Sequence, residues 1–365
     1  MSFQWSMSRR AAAAALVSLC IVTCRGASTA PTVSATLLAF VGLPTAVTAG
    51  TTLPAIRIEA RDNAGNVDAH FSGTVTLSLD ANPSGGALDG TVTLNANDGT
   101  VEFTTLRIVK SGSSYTLRAT SGALTGLSVA FDVTAGAASH LVFTTQPGNA
   151  AAGAPIAVMV TAQDSVGNLA TGFSGATNSV TVAIGTNGGN PTPGTLSGTT
   201  TQTAANGVAT FADLTLDKVG SNYTLTATGS GVTEATSASF AVSAGAAVQL
   251  VFTQQPVTTI EKQPITPCVQ VMAQDIGGNG AADANQTITL ALTPGTGALG
   301  AILSGTTGPV AVVAGVGAAQ FCDLSINKDA PGYTLTASSA NLPSVTSDPF
   351  VILETPPLGP RASGP

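Results

Sequence analysis

The sequence predicts an all-β protein built from three tandem β-sandwich modules, and three observations lead to this prediction. The pattern Phe-x-x-Leu-x-x-x-Lys-x-x-x-x-Tyr-x-Leu occurs three times without a change of spacing, beginning at Phe103, Phe211 and Phe321. The 365 residues are 44% hydrophobic but only 8% charged, a composition that favours short strands over long helices. Apolar and polar residues alternate with a period of two, as they do in half-buried strands.

Residues 1–30 are predicted to be an export signal, either a signal peptide or a lipoprotein leader. Arg9 and Arg10 precede a thirteen-residue apolar run, which is too short to span a bilayer as a permanent helix. Two processing sites remain open. The small residues at 28–30 suit an ordinary signal peptidase, whereas residues 21–24 are similar to a lipobox, in which Cys24 would be acylated. The protein is therefore expected in the cell envelope or outside the cell, with membrane contact only through that lipid.

Each module then opens on two strands and a turn. The second strand of the first copy places Ile56, Ile58 and Ala60 inward and Arg57, Glu59 and Arg61 outward. It ends at Asp-x-x-Gly-Asn, which recurs at 62–66, 164–168 and 275–279. Asp can accept bonds from nearby backbone NH groups and Gly can take a positive φ, so this pattern predicts a turn.

The same turns offer oxygen atoms that suit calcium, from Asp62, Asn63 and Asp68 or from Asp275 and Asp283. Only the first Asp and the Gly-Asn pair recur in all three copies, and the turn itself accounts for them. No metal and no other cofactor is predicted.

The three tyrosines of the chain, Tyr115, Tyr223 and Tyr333, all fall in the repeated pattern. About seven strands per module, with turn signals every eight to twelve residues, are typical of an immunoglobulin-like sandwich. In such a sandwich a repeated tyrosine packs its ring inward while its hydroxyl bonds backbone a few residues upstream. The predicted modules are 35–136, 137–245 and 246–354, followed by a disordered tail at 355–365.

Four motifs of the middle module occur in a fixed order: Asp-x-x-Gly-Asn at 164–168, Leu-Ser-Gly-Thr at 196–199, Asn-Gly-Val-Ala-Thr at 206–210 and Tyr-Thr-Leu-Thr-Ala at 223–227. This series resembles the bacterial immunoglobulin-like repeats of invasin- and intimin-type surface proteins, and the resemblance covers residues 35–354. It implies display at the cell surface, with the repeats acting as a stalk or spacer. Module three departs from the pattern by three additional residues between Leu303 and Phe321.

Cys268 and Cys322 are the only cysteines of the predicted modules. They fall on the second and fifth strands, which are neighbours in one sheet of an immunoglobulin-like sandwich. We predict a cross-strand disulfide that stabilises module three by about 4 kcal/mol in an oxidising compartment. The alternative is a pair of free thiols.

Charge and motif content exclude several classes of function. The formal net charge is −7, so the chain lacks the basic face that nucleic acids require. His70 and His140 do not recur at equivalent positions and are predicted to be surface histidines. The sequence contains no metalloprotease, hydrolase-elbow or phosphate-loop motif. We therefore predict that the protein is not an enzyme.

The prediction for function is a monomeric cell-envelope protein whose modules act as a surface spacer or adhesion stalk. The alternative is a binding module for an unknown protein or a surface glycan. That alternative would use the irregular loops at residues 187–193 of module two or 293–315 of module three. The two differ in one respect: spacer modules are interchangeable, whereas a binding site belongs to one module.

Overall fold

A computed structural model describes residues 33–281, 286–313 and 316–356. All the regular secondary structure of these residues is β-strand, which confirms the all-β prediction. The predicted leader with Cys24, Asp283 and residues 357–365 of the predicted tail lie outside the described residues.

The strands form three successive groups, which we call modules one, two and three, and each group surrounds its own hydrophobic cluster. Module one contains β1 (Leu37–Val41), β2 (Ala46–Thr48), β3 (Ile56–Arg61), β4 (Thr74–Leu79), β5 (Leu88–Asp89), β6 (Thr93–Asn95), β7 (Thr100–Phe103), β8 (Arg107–Ile108), β9 (Gly112–Tyr115), β10 (Leu117–Ser121), β11 (Leu124–Leu127) and β12 (Phe131–Thr134). Module two contains β13 (His140–Thr145), β14 (Ala150–Ala151), β15 (Ile156–Gln163), β16 (Ser179–Ile184), β17 (Leu196–Ser197), β18 (Thr201–Thr203), β19 (Val208–Leu216), β20 (Gly220–Tyr223), β21 (Leu225–Gly229), β22 (Ala235–Thr236) and β23 (Phe240–Ser243). Module three contains β24 (Gln249–Gln254), β25 (Thr259–Ile260), β26 (Val269–Gln274), β27 (Thr287–Leu292), β28 (Leu303–Ser304), β29 (Val310–Ala311), β30 (Ala318–Phe321), β31 (Ser325–Ile326), β32 (Ala330–Tyr333), β33 (Leu335–Ser339), β34 (Leu342–Thr346) and β35 (Phe350–Leu353).

The modules share one sheet topology. In module one, β1-β3-β7 form one sheet and β11-β10-β4-β6 form another, while β2-β12-β9 close the edge. The pairs are antiparallel except β2 with β12, which is parallel. The first two strands of each module therefore belong to different sheets, and a proline stands between them in every module, at Pro44, Pro147 and Pro256. The short pieces outnumber the seven predicted strands, but the immunoglobulin-like sandwich is present.

The strand that carries the repeated tyrosine is also divided. In module two, β20 ends at Tyr223 and pairs with β23, whereas β21 begins at Leu225 and pairs with β16 in the other sheet. The Tyr223 ring is fully buried, with its centroid 5.9 Å from that of Phe240. Its hydroxyl donates to the carbonyl oxygen of Lys218 at 3.0 Å. Tyr115 and Tyr333 make the equivalent bonds to the carbonyls of Lys110 and Lys328, also at 3.0 Å.

A buried serine completes this crossing in every module, and the sequence reading missed it. The Leu225 NH donates to the Ser237 hydroxyl at 2.9 Å, and that hydroxyl donates to the Ala238 carbonyl at 2.8 Å. Ser128 and Ser347 do the same in modules one and three. The signal was available, because each serine stands three residues before the last repeated Phe. Where the strand changes sheets, its NH has no ladder partner, so a side chain must accept it.

Ser237→Ala should therefore destabilise module two by about 1–3 kcal/mol, because it leaves the buried Leu225 NH without an acceptor. The measurement is hydrogen exchange of peptides from β20 and β21. Ser239→Ala, at an exposed position two residues along, is the matched control and should leave exchange unchanged. Equal effects of the two substitutions would contradict this role for Ser237.

The Leu-x-Gly-Thr motif has a structural explanation of the same kind. Gly198, at φ 99°, lies against the backbone carbonyl of Asp213, so a side chain there would collide with it. Thr199 donates its NH and its hydroxyl to the Asp213 carboxylate, the hydroxyl at 2.8 Å. These hydrogen bonds hold the pKa of Asp213 below its ordinary value. Thr306 and Asp323 repeat the arrangement in module three.

Glu59 belongs to the predicted outward row of β3, but it is not exposed to solvent. It points away from the core face and is nevertheless buried, because two arginines cover it. Arg57 lies 3.0 Å from one carboxylate oxygen and the Arg61 Nε donates to the other at 2.9 Å. The outward parity was right, but the long arginine stems remove the carboxylate from solvent.

The structure contains the predicted disulfide of module three. Cys268 and Cys322 are bonded, with their Cα atoms 4.2 Å apart. They flank the pairing of Val269 with Phe321, where β26 and β30 are antiparallel neighbours. The bond therefore joins the two strands at one end of their ladder.

Candidate functional site at the joint of modules two and three

A cleft of about 870 Å³ lies where module two meets module three. Module two contributes the loop around Asn190 and the corner at Lys218, and module three contributes Met272 and Gln274 of β26 together with the 275–279 turn. One of the two loops predicted as irregular, 187–193, therefore lies at this joint.

Asn187 gives that loop its shape. Its Nδ2 donates to the Gly194 carbonyl at 2.7 Å, and its Oδ1 accepts the Gly194 NH at 2.9 Å. The loop is also tied to the corner, because the Asn190 NH donates to the Val219 carbonyl at 3.1 Å. The wall of the cleft is thus fixed by hydrogen bonds to the tyrosine corner of the same module.

Lys218 is the charged residue of the lining, and its environment differs from that of the other two repeated lysines. Lys218 is half-buried and its Nζ donates to the Gly277 carbonyl of module three at 2.6 Å. Lys110 and Lys328 are exposed, and the Lys328 Nζ donates to the Leu299 carbonyl of its own module at 2.8 Å. Burial and, next, the charge of Asp217 raise the pKa of Tyr223, which keeps its hydroxyl a donor to the Lys218 carbonyl.

The remaining polar lining consists of neutral amides and hydroxyls. Asn190, Gln274 and Asn279 supply amides, while Thr192, Ser243 and Thr253 supply hydroxyls. Groups of this kind can hydrogen-bond a polar neutral ligand but cannot by themselves activate a nucleophile. The sequence reading identified the loop but not Gln274 or Thr253, because they come from module three and meet the loop only in the folded chain.

The other predicted site residues lie elsewhere. Residues 292–301 of module three line a separate cavity of about 380 Å³, at which Leu299 is 98% exposed. The His70 side chain is exposed, as predicted. His140 is half-buried instead, with Nδ1 2.8 Å from the Ser139 hydroxyl.

The carboxylates considered as calcium ligands in module one already accept hydrogen bonds from backbone NH groups. Asp62 Oδ1 accepts the NH groups of Ala64 and Asn66 at 2.9 and 2.8 Å, and Asp68 accepts those of Ala35 and His70. Among residues 33–281, 286–313 and 316–356, no group of three or more His, Cys, Asp or Glu side chains could hold a metal ion. In the same ranges no helix is long and apolar enough to cross a membrane.

Comparisons with known proteins give structural similarity alone. No family model matches the chain, and no curated protein matches it. The structure of FdeC, an Escherichia coli adhesin, is 17% identical, covers 88% of this chain and 98% of its own, and has a TM-score of 0.40. Domains 4–9 of the surface layer protein SbsC are 18% identical, with 89% and 47% covered and a TM-score of 0.23. The Yersinia pseudotuberculosis adhesin InvE is 14% identical, with 62% and 69% covered and a TM-score of 0.29. Similarities this weak assign no function, ligand or family to the chain.

Proposed function

We propose that this chain is an exported, non-enzymatic protein of the cell envelope, whose modules act as a surface spacer or adhesion stalk. The observation that supports the proposal is where the recurring residues lie. The repeated Phe, Leu and Tyr side chains fill the three cores, the repeated serines complete the sheet crossings, and the Asp-x-x-Gly-Asn residues form turns. The recurring residues are thus the ones that form each module and join it to the next.

Surface composition supports the same proposal. Tight interfaces are usually anchored by buried aromatic and Arg side chains. In this chain the tyrosines and most of the described phenylalanines belong to the cores. The four arginines of module one, Arg57, Arg61, Arg107 and Arg118, all pair with carboxylates of their own module. A surface of this kind holds other parts of the envelope apart more readily than it binds one partner tightly.

The test is a series of chains of different length on the native cell. Deleting residues 137–245 should shorten the reach by one module, roughly 30–40 Å from strands of about ten residues rising 3.3 Å each, and duplicating them should lengthen it equally. Reach is measured as the height of an N- or C-terminal epitope above the cell surface. Replacing the same residues with an unrelated sandwich of equal length should leave display and any adhesion intact. Loss of adhesion with display intact would overturn the spacer proposal.

The cleft supports a second candidate function, the binding of a polar protein segment or a glycan. Its neutral amide and hydroxyl lining is the observation in favour. The two functions are separated by exchanging residues 187–194 for the shorter loop 82–86 of module one. If the chain is a spacer, adhesion should persist after this exchange. If the cleft binds a ligand, that binding should be lost.

A further inference from the structure

The two joints between modules share one pair of hydrogen bonds. At the first joint, the Asn168 Nδ2 of module two donates to the Val109 carbonyl of module one at 2.8 Å, and the Ser111 NH donates to the Asn168 Oδ1 at 3.0 Å. At the second, Asn279 Nδ2 donates to the Asp217 carbonyl at 2.8 Å and its Oδ1 accepts the Val219 NH at 3.1 Å. Both asparagines therefore bind the backbone on either side of the repeated lysine.

The Asp of each turn holds this asparagine in place and also ties down the linker. Asp164 accepts the Asn168 Nδ2 at 2.9 Å and the NH of the linker residue Gly136 at 2.9 Å. Asp275 does the same for Asn279 and for Gly245, at 2.9 and 2.8 Å. Burial works against the charge of Asp164, but the hydrogen bonds from Asn168, Gly136 and Val166 outweigh it and hold its pKa below the ordinary value. At neutral pH the carboxylate is thus a permanent acceptor.

Comparison with the turn of module one distinguishes the hydrogen bonds that form the turn from those that form the joint. Asp62 and Asn66 make the same bonds within the turn, with Asn66 Nδ2 3.1 Å from the Asp62 carboxylate. No described module precedes them, and Asn66 is exposed. Asn168 and Asn279 are each only 6% exposed. The turn therefore forms without burying its asparagine, and the burial at 168 and 279 comes from the joint.

We propose that Asn168 and Asn279 are latches, each holding two consecutive modules in one fixed orientation. A linker of small residues alone would let the modules swing, since it offers little steric restriction. A side-chain amide that both donates to and accepts from the neighbouring backbone fixes direction as well as distance. Because the latch binds backbone atoms, it accepts any module that has the same corner. The proposal concerns the joints and does not depend on what the protein displays.

The second joint offers an independent way to open the latch. A Cβ on Gly277 would collide with the Asp217 carbonyl oxygen, the acceptor of the latch. The equivalent residues of the other turns are Ala64 and Val166, so the turn itself accepts a side chain there. Gly277→Val should thus push the modules apart while the turn still forms. At the first joint Val166 instead packs against the core of module one.

The test measures distances between nitroxide labels by pulsed electron paramagnetic resonance on the full chain. The labels are placed at Glu102, Thr210 and Gln320. These are equivalent exposed positions, each directly before the Phe that begins the repeated pattern. The unsubstituted chain should give one narrow distance distribution for each neighbouring pair. Asn168→Ala should broaden only the 102–210 distribution, and Asn279→Ala or Gly277→Val only the 210–320 distribution. Loss of two amide hydrogen bonds implies that each asparagine substitution lowers the ratio of latched to open joints by about tenfold.

Asn66→Ala is the matched control. It removes the same side-chain bond within the turn, but Asn66 makes no described hydrogen bond to another module. It should change neither distribution. Gly277→Val is the second variant in case alanine unfolds the turn, since it keeps both Asp275 and Asn279, which are bonded to each other within the turn. Broad distributions in the unsubstituted chain would overturn the proposal. Narrow and unshifted distributions in folded Asn279→Ala and Gly277→Val chains would overturn it as well.

Discussion

Tyr223→Ala should lower the free energy of unfolding of module two by about 3–5 kcal/mol, because it leaves a cavity in place of a fully buried ring. This loss should exceed that of any conservative change in the module. The substitution also leaves the Lys218 carbonyl without the hydroxyl that it accepts at 3.0 Å. The change is best followed by hydrogen exchange of peptides from each module, since a chain with three cores need not unfold in one step. Peptides of module two should lose protection, while those of module three keep theirs.

Tyr223→Phe is the control that separates the ring from the hydroxyl. It keeps the packing against Phe240 and removes only the hydrogen bond, so it should cost about 1–2 kcal/mol. Tyr115→Ala should transfer the large loss of protection to module one, because that corner has the same geometry. If Tyr223→Phe were as damaging as Tyr223→Ala, the hydroxyl would dominate the corner and the packing argument would be wrong.

Replacing both Cys268 and Cys322 with alanine should destabilise module three by about 4 kcal/mol, as expected when the constraint on a loop of 54 residues is lost. The physical reason is that the unfolded chain regains the freedom that the bond removed. The measurement is the urea midpoint of module three, followed by hydrogen exchange of its peptides. Modules one and two, with Ala55 and Thr104 or Ala157 and Ala212 at these positions, should not respond.

Reduction of the unsubstituted protein provides the internal control for this prediction. A reducing agent should lower the midpoint of module three to that of the double alanine variant and should leave the variant itself unchanged. A variant as stable as the oxidised protein would show that the sheet pairing of Val269 with Phe321 suffices without the bond.

The proposed latches and the proposed spacer function make different demands on the chain. A spacer needs length, which the number of modules sets, whereas a latch sets how straight and how stiff that length is. Open joints would reduce the average reach without changing the number of modules. Measurements of reach on the cell and of label distances in solution therefore test the two proposals separately.

The sequence by itself determined the features that follow from local patterns or from register. The period-two alternation identified the inward residues of β3, β15 and β26, because side chains of a strand alternate between its faces. The repeated tyrosine predicted a hydroxyl bonded to backbone a few residues upstream, and the strand order of the sandwich placed Cys268 beside Cys322. Each of these needs only a short segment or one pair of neighbouring strands.

Only the tertiary structure decided the features in which distant segments meet. The change of sheet after Tyr223 and the need for Ser237 depend on which neighbour each half-strand finds. The clearest case is the Asp-x-x-Gly-Asn turn, whose Asp, Gly and Asn recur in all three modules. Asn66 is exposed, while Asn168 and Asn279 are buried against backbone about sixty residues earlier in the chain. No local pattern distinguishes them, because the difference lies in the module that precedes each turn.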